Sequence, residues 1–487
     1  MLKINLSKWA IVVICATIPL LATSQSVSDN RNQLPEIGVV ASDVLTIDRE
    51  VQIGKIVMKQ LRGQAPIIHD PVLEEYIQDL GNRLVSQADN AKFPFKFFMI
   101  NNPVINAFAF YGGHIGIHSG LVTTADTESE LASVLGHEVA HVTQRHLARA
   151  AQAQQRSAPL QIASLIGGIL LAMVDPNAGM AAVSLGQASS AQSSINYTRS
   201  MEQEADNIGI NILARAGFDP KGAPAFFGKL ASQSRSQLAN ETSFLRTHPL
   251  PESRISETRA RAATYRDVYL PTSLPFQLAK ARIKARYESN PENNLAYFNQ
   301  QYKSTNEVIK QAALYGIAIS YFELEEYGQA EEALRPLLSA DRDNLFYLDV
   351  MTDIYIKQNK PGRAVELLTP LWTLKPQNKV LALNLANALI YNQQQEKAIS
   401  ILRDLLLVDN EHFLSYSLLI DAYAQTQQKK EMHQASAERF ALILAYPLAI
   451  NELQFAYNQV EGDYLEKQRI KARIEQFRVA QANLTRN

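Results

Sequence analysis

His137 and His141 stand four residues apart in the run His137-Glu138-Val139-Ala140-His141. On an α-helix, residues i and i+4 lie one above the other on the same face, so both imidazoles can reach a single metal ion. Glu138 sits beside them, placed to hydrogen-bond water at such an ion rather than to bind the ion itself. A zinc ion lowers the pKa of water it holds. A carboxylate there can accept the proton as that water attacks a peptide carbonyl, then hand it to the leaving amine. The chemistry would be metal-assisted hydrolysis; the plainer alternative is a histidine pair on a solvated helix face.

A catalytic zinc takes three protein ligands and leaves one position open, and the pentapeptide supplies two. Gln144 and Leu147 stand where a contiguous HExxHxxGxxH pattern would carry glycine and the third histidine, so the third ligand must come from elsewhere. The run Glu202-Gln203-Glu204-Ala205-Asp206 opens the next strong helical segment. Glu202 and Asp206 share a face, so one can bind the ion while the other hydrogen-bonds a ligand imidazole and fixes its tautomer. The residues themselves do not choose among Glu202, Glu204 and Asp206, and acids in a first helical turn are often only solvated groups favoured by the helix dipole. His114 and His118 read as surface residues of a hairpin, since a spacing of four in a strand spans about 13 Å. His146 lies too far round and along the helix from His141 to be taken as a ligand. His69, His412 and His433 receive no role.

The elements that must position these residues are mostly helical. Apolar residues at helical spacing predict helices over about Ile47–Leu61 and Pro71–Gln87, the second capped by Asp70 with Pro71 in its first turn. Residues 93–123 change character: Phe95 to Ile100 is rich in β-formers, and Gly112-Gly113 separates two short apolar runs, Phe108–Tyr111 and His114–His118. A small sheet with a hairpin is the expected product, and residues 112–118 are expected to be an edge strand able to align a substrate as an added strand. A long helix from near Asp126 or Ser129 to about Gln152 carries the histidine pair, with Leu131, Val134, Leu135, Val139 and Val142 on its buried side. Helices are further expected over Glu202–Ala216, Gly222–Arg235 and 254–266.

Residues 1–24 read as an export signal, with Lys3 and Lys8 before the apolar run Ala10–Leu21 and small residues near the cleavage point. The sole cysteine, Cys15, lies inside that leader, which excludes thiol catalysis and a Cys-ligated zinc site in the mature chain. Residues 155–200 are expected to form a hydrophobic flap or hairpin. Its apolar stretch 160–174 is short for a membrane span, and either packs on the catalytic domain or makes peripheral membrane contact.

The carboxy-terminal half repeats. Tyr321, Tyr355, Leu389 and Tyr423 are 34 residues apart, as are Ala330, Ala364 and Ala398, and Leu334, Leu368 and Leu402. This resembles the tetratricopeptide repeat, a helix–turn–helix unit of 34 residues whose stacked copies bury a continuous core and curve into a groove. Leu314 and Leu348 stand where the repeat prefers tryptophan. The division expected is a catalytic domain over 25–268, a linker with the first repeat-region helices over 269–304, and a repeat array over 305–487. The fold class is mainly α with a small β-sheet, a zincin-like metallopeptidase domain followed by an α-solenoid. Apolar residues make up 46% of the chain and charged residues 20%, with a formal net charge of −1. That balance suits a globular protein and argues against a nucleic-acid partner, which would require a positive surplus.

The His137–His141 motif followed by Glu202–Asp206 resembles the M48 family of zinc peptidases. So do Asn106–Phe110 with Gly112-Gly113, and Ala132, Leu135, Gly136 and Arg145-His146 around the zinc helix. The resemblance covers about residues 40–265. It implies one Zn²⁺ per subunit, with Glu202 as the third ligand, Asp206 as its hydrogen-bonding partner, Glu138 as general base and acid, and no ligand role for Glu204. Arg246-Thr247-His248-Pro249 and Pro251-Glu252-Ser253-Arg254 resemble a loop whose histidine occupies the fourth zinc position in a latent state. Arg254 then either touches substrate or the developing oxyanion, or ties that loop down. The whole layout resembles a periplasmic group of this family. Its members help outer-membrane β-barrel proteins mature, including the lipopolysaccharide-transport barrel, and degrade those that stall, acting beside the barrel-assembly machinery through the repeat groove. The alternative is a repeat scaffold or chaperone with a latched, rarely active zinc site.

Overall fold

A three-stranded sheet, covered on both faces by helices, sets the frame in which the histidine pair sits. The computed structural model describes residues 41–42, 44–155, 188–235 and 244–486. The leader expected at 1–24 and residues 156–187 of the expected flap, including 160–174, lie outside them. Among the described residues no helix is long and apolar enough to cross a membrane.

The catalytic part begins with α1 (Ile47–Gln64) and α2 (Pro71–Val85), followed by β1 (Lys96–Ile100), β2 (Ala107–Phe110) and β3 (His114–His118). Asp70 caps α2 by accepting from the Leu73 N–H at 3.3 Å. The strand order is β1-β3-β2, with β1 parallel and β2 antiparallel to β3. Alternation then decides which side chain faces which layer. Ile115 and Ile117 join the core built on α2, whereas Phe98, Phe108 and Phe110 join Ile53, Val57 and Leu61 of α1.

Two expectations fail here. Residues 112–118 do not form an edge: β1 pairs in parallel with β3 and makes it the central strand, so the outer strands are β1 and β2. For the same reason His114 and His118 are core residues rather than surface ones, each only 3–4% exposed. Their Nδ1 atoms lie 3.1 and 3.2 Å from the carbonyls of Tyr111 and Val104. Burial pushes both pKa values down to about 4, which keeps the rings neutral.

Next come α3 (Ser119–Thr124), α4 (Glu128–Thr143), α5 (His146–Gln155), α6 (Ala188–Arg215), α7 (Gly222–Arg235), the single turn α8 (Phe244–Thr247) and α9 (Glu252–Ala262). The expected long helix is two helices. It breaks at Arg145, which adopts a left-handed φ of 52°. The guanidinium offsets that strain by pairing in the interior with Glu50 and donating to the Leu45 carbonyl. The helix bearing Glu202 starts at Ala188, inside the stretch expected to be a flap.

Beyond α10 (Leu274–Ile283), a π-helical turn and α11 (Pro291–Gln301), helices alternate as antiparallel pairs: α12 (Glu307–Glu323) with α13 (Tyr327–Ala340), α14 (Leu345–Lys357) with α15 (Pro361–Leu374), and α16 (Lys379–Tyr391) with α17 (Gln395–Val408). Then follow α18 (Phe413–Gln425) with α19 (Lys429–Ala441) and α20 (Tyr446–Asn458) with α21 (Tyr464–Arg486). The alanine and leucine columns of the 34-residue period are fully buried. A second set at the same spacing turns each of the first four pairs: Glu325, Asn359, Gln393 and Gln427 all have φ between 57° and 63°.

The repeats pack on the catalytic part. Arg282 of α10 is 1% exposed, and its Nε donates to Asp70 at 2.6 Å while one terminal nitrogen donates to Asp349 of α14 at 2.6 Å. Further along, His69 stacks on Phe413 of α18 at 4.6 Å, and Asn378 donates to Glu75 of α2 at 2.8 Å. A groove of about 540 Å³ lies between these surfaces, lined by Arg62, Glu74, Lys96, Lys379 and Glu411 among others.

Candidate metal centre

Helix α4 starts on Thr127, whose hydroxyl accepts from the Glu130 N–H at 3.2 Å. The Glu130 carboxylate in turn accepts from the Asp126 N–H at 2.7 Å, an arrangement close to a capping box. The helix is buried almost all round, so His137 and Glu138 sit in the interior, 5% and 1% exposed.

Helix α6 crosses α4 with glycine against glycine. A Cβ on Gly209 would lie 3.0 Å from the His137 backbone nitrogen and 3.1 Å from its Cα; one on Gly136 would lie 3.2 Å from the Gly209 carbonyl oxygen. This close approach brings Glu202 and Asp206 beneath the histidine pair. Gly209→Ala forces backbone against backbone. We expect it to cost about 1–3 kcal/mol of stability and to weaken metal binding, read from urea unfolding and chelator competition.

Ligand atoms of His137, His141, Glu202 and His248 all lie within 4.8 Å of one another. His137 Nε2 is 3.4 Å from Glu202 Oε2, and His141 Nε2 is 3.3 Å from Glu202 Oε1. Asp206 Oδ1 stands 3.0 Å from the outer nitrogen, Nδ1, of His137. Glu138 lines the same cavity. Its buried Oε1 has no hydrogen-bond partner among the described residues and lies 3.4 Å from His248 Nε2.

His248 packs on Phe244, with ring centroids 4.6 Å apart, and its Nδ1 is 3.0 Å from Glu202 Oε2. Arg254 on α9 is buried. Its Nε and one terminal nitrogen donate to Asp206 at 2.7 and 2.8 Å, and the other terminal nitrogen donates to the Pro249 carbonyl at 2.7 Å and lies 2.9 Å from Glu202. It thus joins the His248 loop to the acidic helix. Glu204 does not reach the cluster; it pairs with His146 at 3.2 Å and Arg149 at 2.8 Å. His146, dismissed on helical spacing, lies directly behind His141, Nδ1 to Nδ1 at 2.8 Å. Sequence reasoning missed it because the break at Arg145 swings it round.

The electrostatics suit a cation. Burial opposes a charge on His137, but hydrogen bonds to Asp206 and Glu202 outweigh it and raise its pKa to about 10. Burial drives His141 down to about 3 despite Glu202, leaving its lone pair available. Burial would raise Glu202, but the surrounding imidazoles hold it well below the ordinary carboxylate range. Burial raises Glu138, the direction a proton acceptor requires. Two or three imidazole nitrogens with one carboxylate are the donors of a zinc-type site rather than of a calcium or magnesium site.

A cleft of about 280 Å³ opens on this cluster, walled by Phe108, Phe110, Tyr111, Val142, Leu147 and Met201. The outer strand β2 runs along it.

Fold and site together define a metal-dependent peptidase. The model of peptidase family M48 matches residues 71–262, and that of a tetratricopeptide repeat matches residues 355–431. Over 98% of both chains, the protein is 42% identical to the "Beta-barrel assembly-enhancing protease" of Escherichia coli (strain K12). It is 42% identical over 94% of both chains to the protein of the same name from Yersinia pestis. A more distant relative, the "Mitochondrial metalloendopeptidase OMA1" of Arabidopsis thaliana, is 34% identical over 32% of this chain and 29% of its own. The chain belongs to the M48 metallopeptidases, with tetratricopeptide repeats after the peptidase domain.

Proposed function

We propose that this protein is a periplasmic zinc endopeptidase that aids assembly of outer-membrane β-barrel proteins and degrades those that stall or misfold. The observation that carries the reading is the convergence of His137, His141 and Glu202 beside the unpaired carboxylate oxygen of Glu138. The relatives' printed names support the substrate class and the compartment, as does the leader expected at 1–24. We place the peptidase domain within 25–268 and assign the later helices to partner binding. The groove between α2 and the repeats offers both acidic and basic side chains to a client or to the assembly machinery.

His137, His141 and Glu202 would hold one zinc ion, with His248 reaching the fourth position at rest. Zinc supplies Lewis-acid chemistry there, polarising a carbonyl and acidifying water. Glu138 accepts a proton during attack and returns it to the departing amine. Asp206 holds His137 in the tautomer that turns Nε2 inward. The outer edge of β2, which lines the cleft, accepts an extended substrate segment by backbone hydrogen bonding, while the aromatic walls of the cleft receive its apolar side chains. An unfolded barrel strand, with alternating apolar residues and unpaired backbone, has that form.

His248 acts as a latch, and Arg254 ties the latch loop through Pro249. His248→Ala is expected to leave zinc bound by three ligands and to raise turnover of a short, accessible peptide severalfold. Unchanged turnover, with full metal content and an unchanged melting curve, would rule out the latch.

A further inference from the structure

We infer that His146 and Glu204 form a positioning relay that fixes the tautomer of the ligand His141, an assignment resting on the metal site proposed above. His141 presents Nε2 to the cluster, 3.0 Å from His137 Nε2 and 3.3 Å from Glu202 Oε1. To donate a lone pair there, its one ring proton must sit on Nδ1. Among the described residues, the only group in hydrogen-bond contact with that nitrogen is His146 Nδ1, at 2.8 Å. Two unprotonated nitrogens, or two protonated ones, repel at this separation. One of them therefore donates and the other accepts.

The far end of the relay chooses which. His146 Nε2 is 3.2 Å from Glu204 Oε2, and Glu204 is fixed by Arg149 at 2.8 Å. A carboxylate only accepts, so the proton of His146 belongs on Nε2. Its Nδ1 is then bare and accepts from His141. The proton pattern runs outward from the ion, from His141 to His146 to Glu204, and leaves Nε2 of His141 free to coordinate. His146 is 3% exposed, which keeps water from replacing it as acceptor.

This gives each acid of the Glu202–Asp206 run a separate task. Glu202 faces the ion, Asp206 orients His137 directly, and Glu204, on another side of α6, orients His141 through an intervening imidazole. The left-handed turn at Arg145 is what allows it, because a continuous helix would carry His146 away from His141.

The test compares zinc affinity, by competition with a chromophoric chelator, in the full chain and in His146→Leu, His146→Asn and Glu204→Ala. Visible spectra of the cobalt-substituted proteins serve as a second readout. Asparagine places an acceptor oxygen where Nδ1 stands; leucine fills the space without one. His146→Leu is expected to lose about 10–100-fold in zinc affinity and to alter the cobalt spectrum, with His146→Asn restoring both. Glu204→Ala, at a partly exposed position that folding tolerates, is expected to lose roughly threefold to tenfold. Equal affinity in wild type, His146→Leu and Glu204→Ala would overturn the relay while leaving the metal site intact. An equal loss in the leucine and asparagine variants would also overturn it, by making His146 a packing residue. A wild-type chain that binds no zinc would refute the site itself.

Discussion

Glu138→Gln should retain one zinc ion per chain and lose cleavage of an unfolded β-barrel substrate by roughly 10²–10⁴-fold, the range that general acid–base catalysis supplies. The substitution keeps shape and volume at a position 1% exposed, so the fold has no reason to change. None of the donor atoms of His137, His141 or Glu202 depends on Glu138 for its place. What is lost is a proton acceptor: the amide cannot take up a proton at neutral pH, whereas burial raises the carboxyl towards the range where it can. The same variant separates the peptidase from a repeat scaffold with an idle zinc site. A scaffold would support barrel assembly, and leave its clients intact, equally with either residue.

Arg282→Met should destabilise the protein by about 3–5 kcal/mol, as expected when one member of a buried ionic network is removed. Arg282 lies between Asp70 and Asp349 and also donates to the Tyr315 hydroxyl at 3.0 Å, while Asp349 accepts from Asn384 at 3.0 Å. Without the guanidinium, two carboxylates remain in the interior with too few donors. Removing all three charges in Asp70→Asn/Arg282→Met/Asp349→Asn should recover most of the loss, because desolvation then falls on no ion.

The effect has a defined pH dependence. Burial alone would raise the Asp70 pKa, but the Arg282 and Arg286 guanidiniums hold it below the ordinary value. A carboxyl held low in the folded state adds stability that is fully present above its unfolded pKa, about 3.9, and lost as pH falls through its folded value. Asp353, which burial raises, works in the opposite sense. Urea midpoints of wild type and Arg282→Met should therefore differ fully at pH 7 and converge below about pH 4. A constant difference over that range would show that the arginine acts through packing alone.

The parts of the site carried by local periodicity were legible in the sequence. The i,i+4 spacing places His137 and His141 together on any helix, and the 34-residue columns of alanine and leucine are buried wherever helix pairs stack. The parts that depend on non-local pairing were not. Nothing near His114 or His118 reveals that β1 will pair in parallel with β3 and close it on both sides, turning two hairpin histidines into neutral core residues. Nor does Arg145 carry a helix-stop signal. It is neither glycine nor asparagine, and its left-handed turn is held by Glu50, 95 residues away. The same lack of glycine or asparagine hides the repeat turns at Glu325, Gln393 and Gln427, whereas Asn359 is a residue that favours such a turn. Arg282, Asp70 and Asp349 come from three separated segments, so their meeting could be read only from the fold. Taken alone, the residues left Glu202 as one of three candidate acids; the M48 resemblance singled it out, and α6 turns it towards the histidines.

The most direct test of the account is a crystal structure of zinc-loaded protein, with diffraction recorded on both sides of the zinc absorption edge. The account predicts one strong anomalous peak per chain, with His137 Nε2 and His141 Nε2 at about 2.0–2.1 Å and the Glu202 carboxylate completing the set of three. A peak elsewhere, or a zinc ion held by the histidine pair with Glu202 turned away, would contradict it.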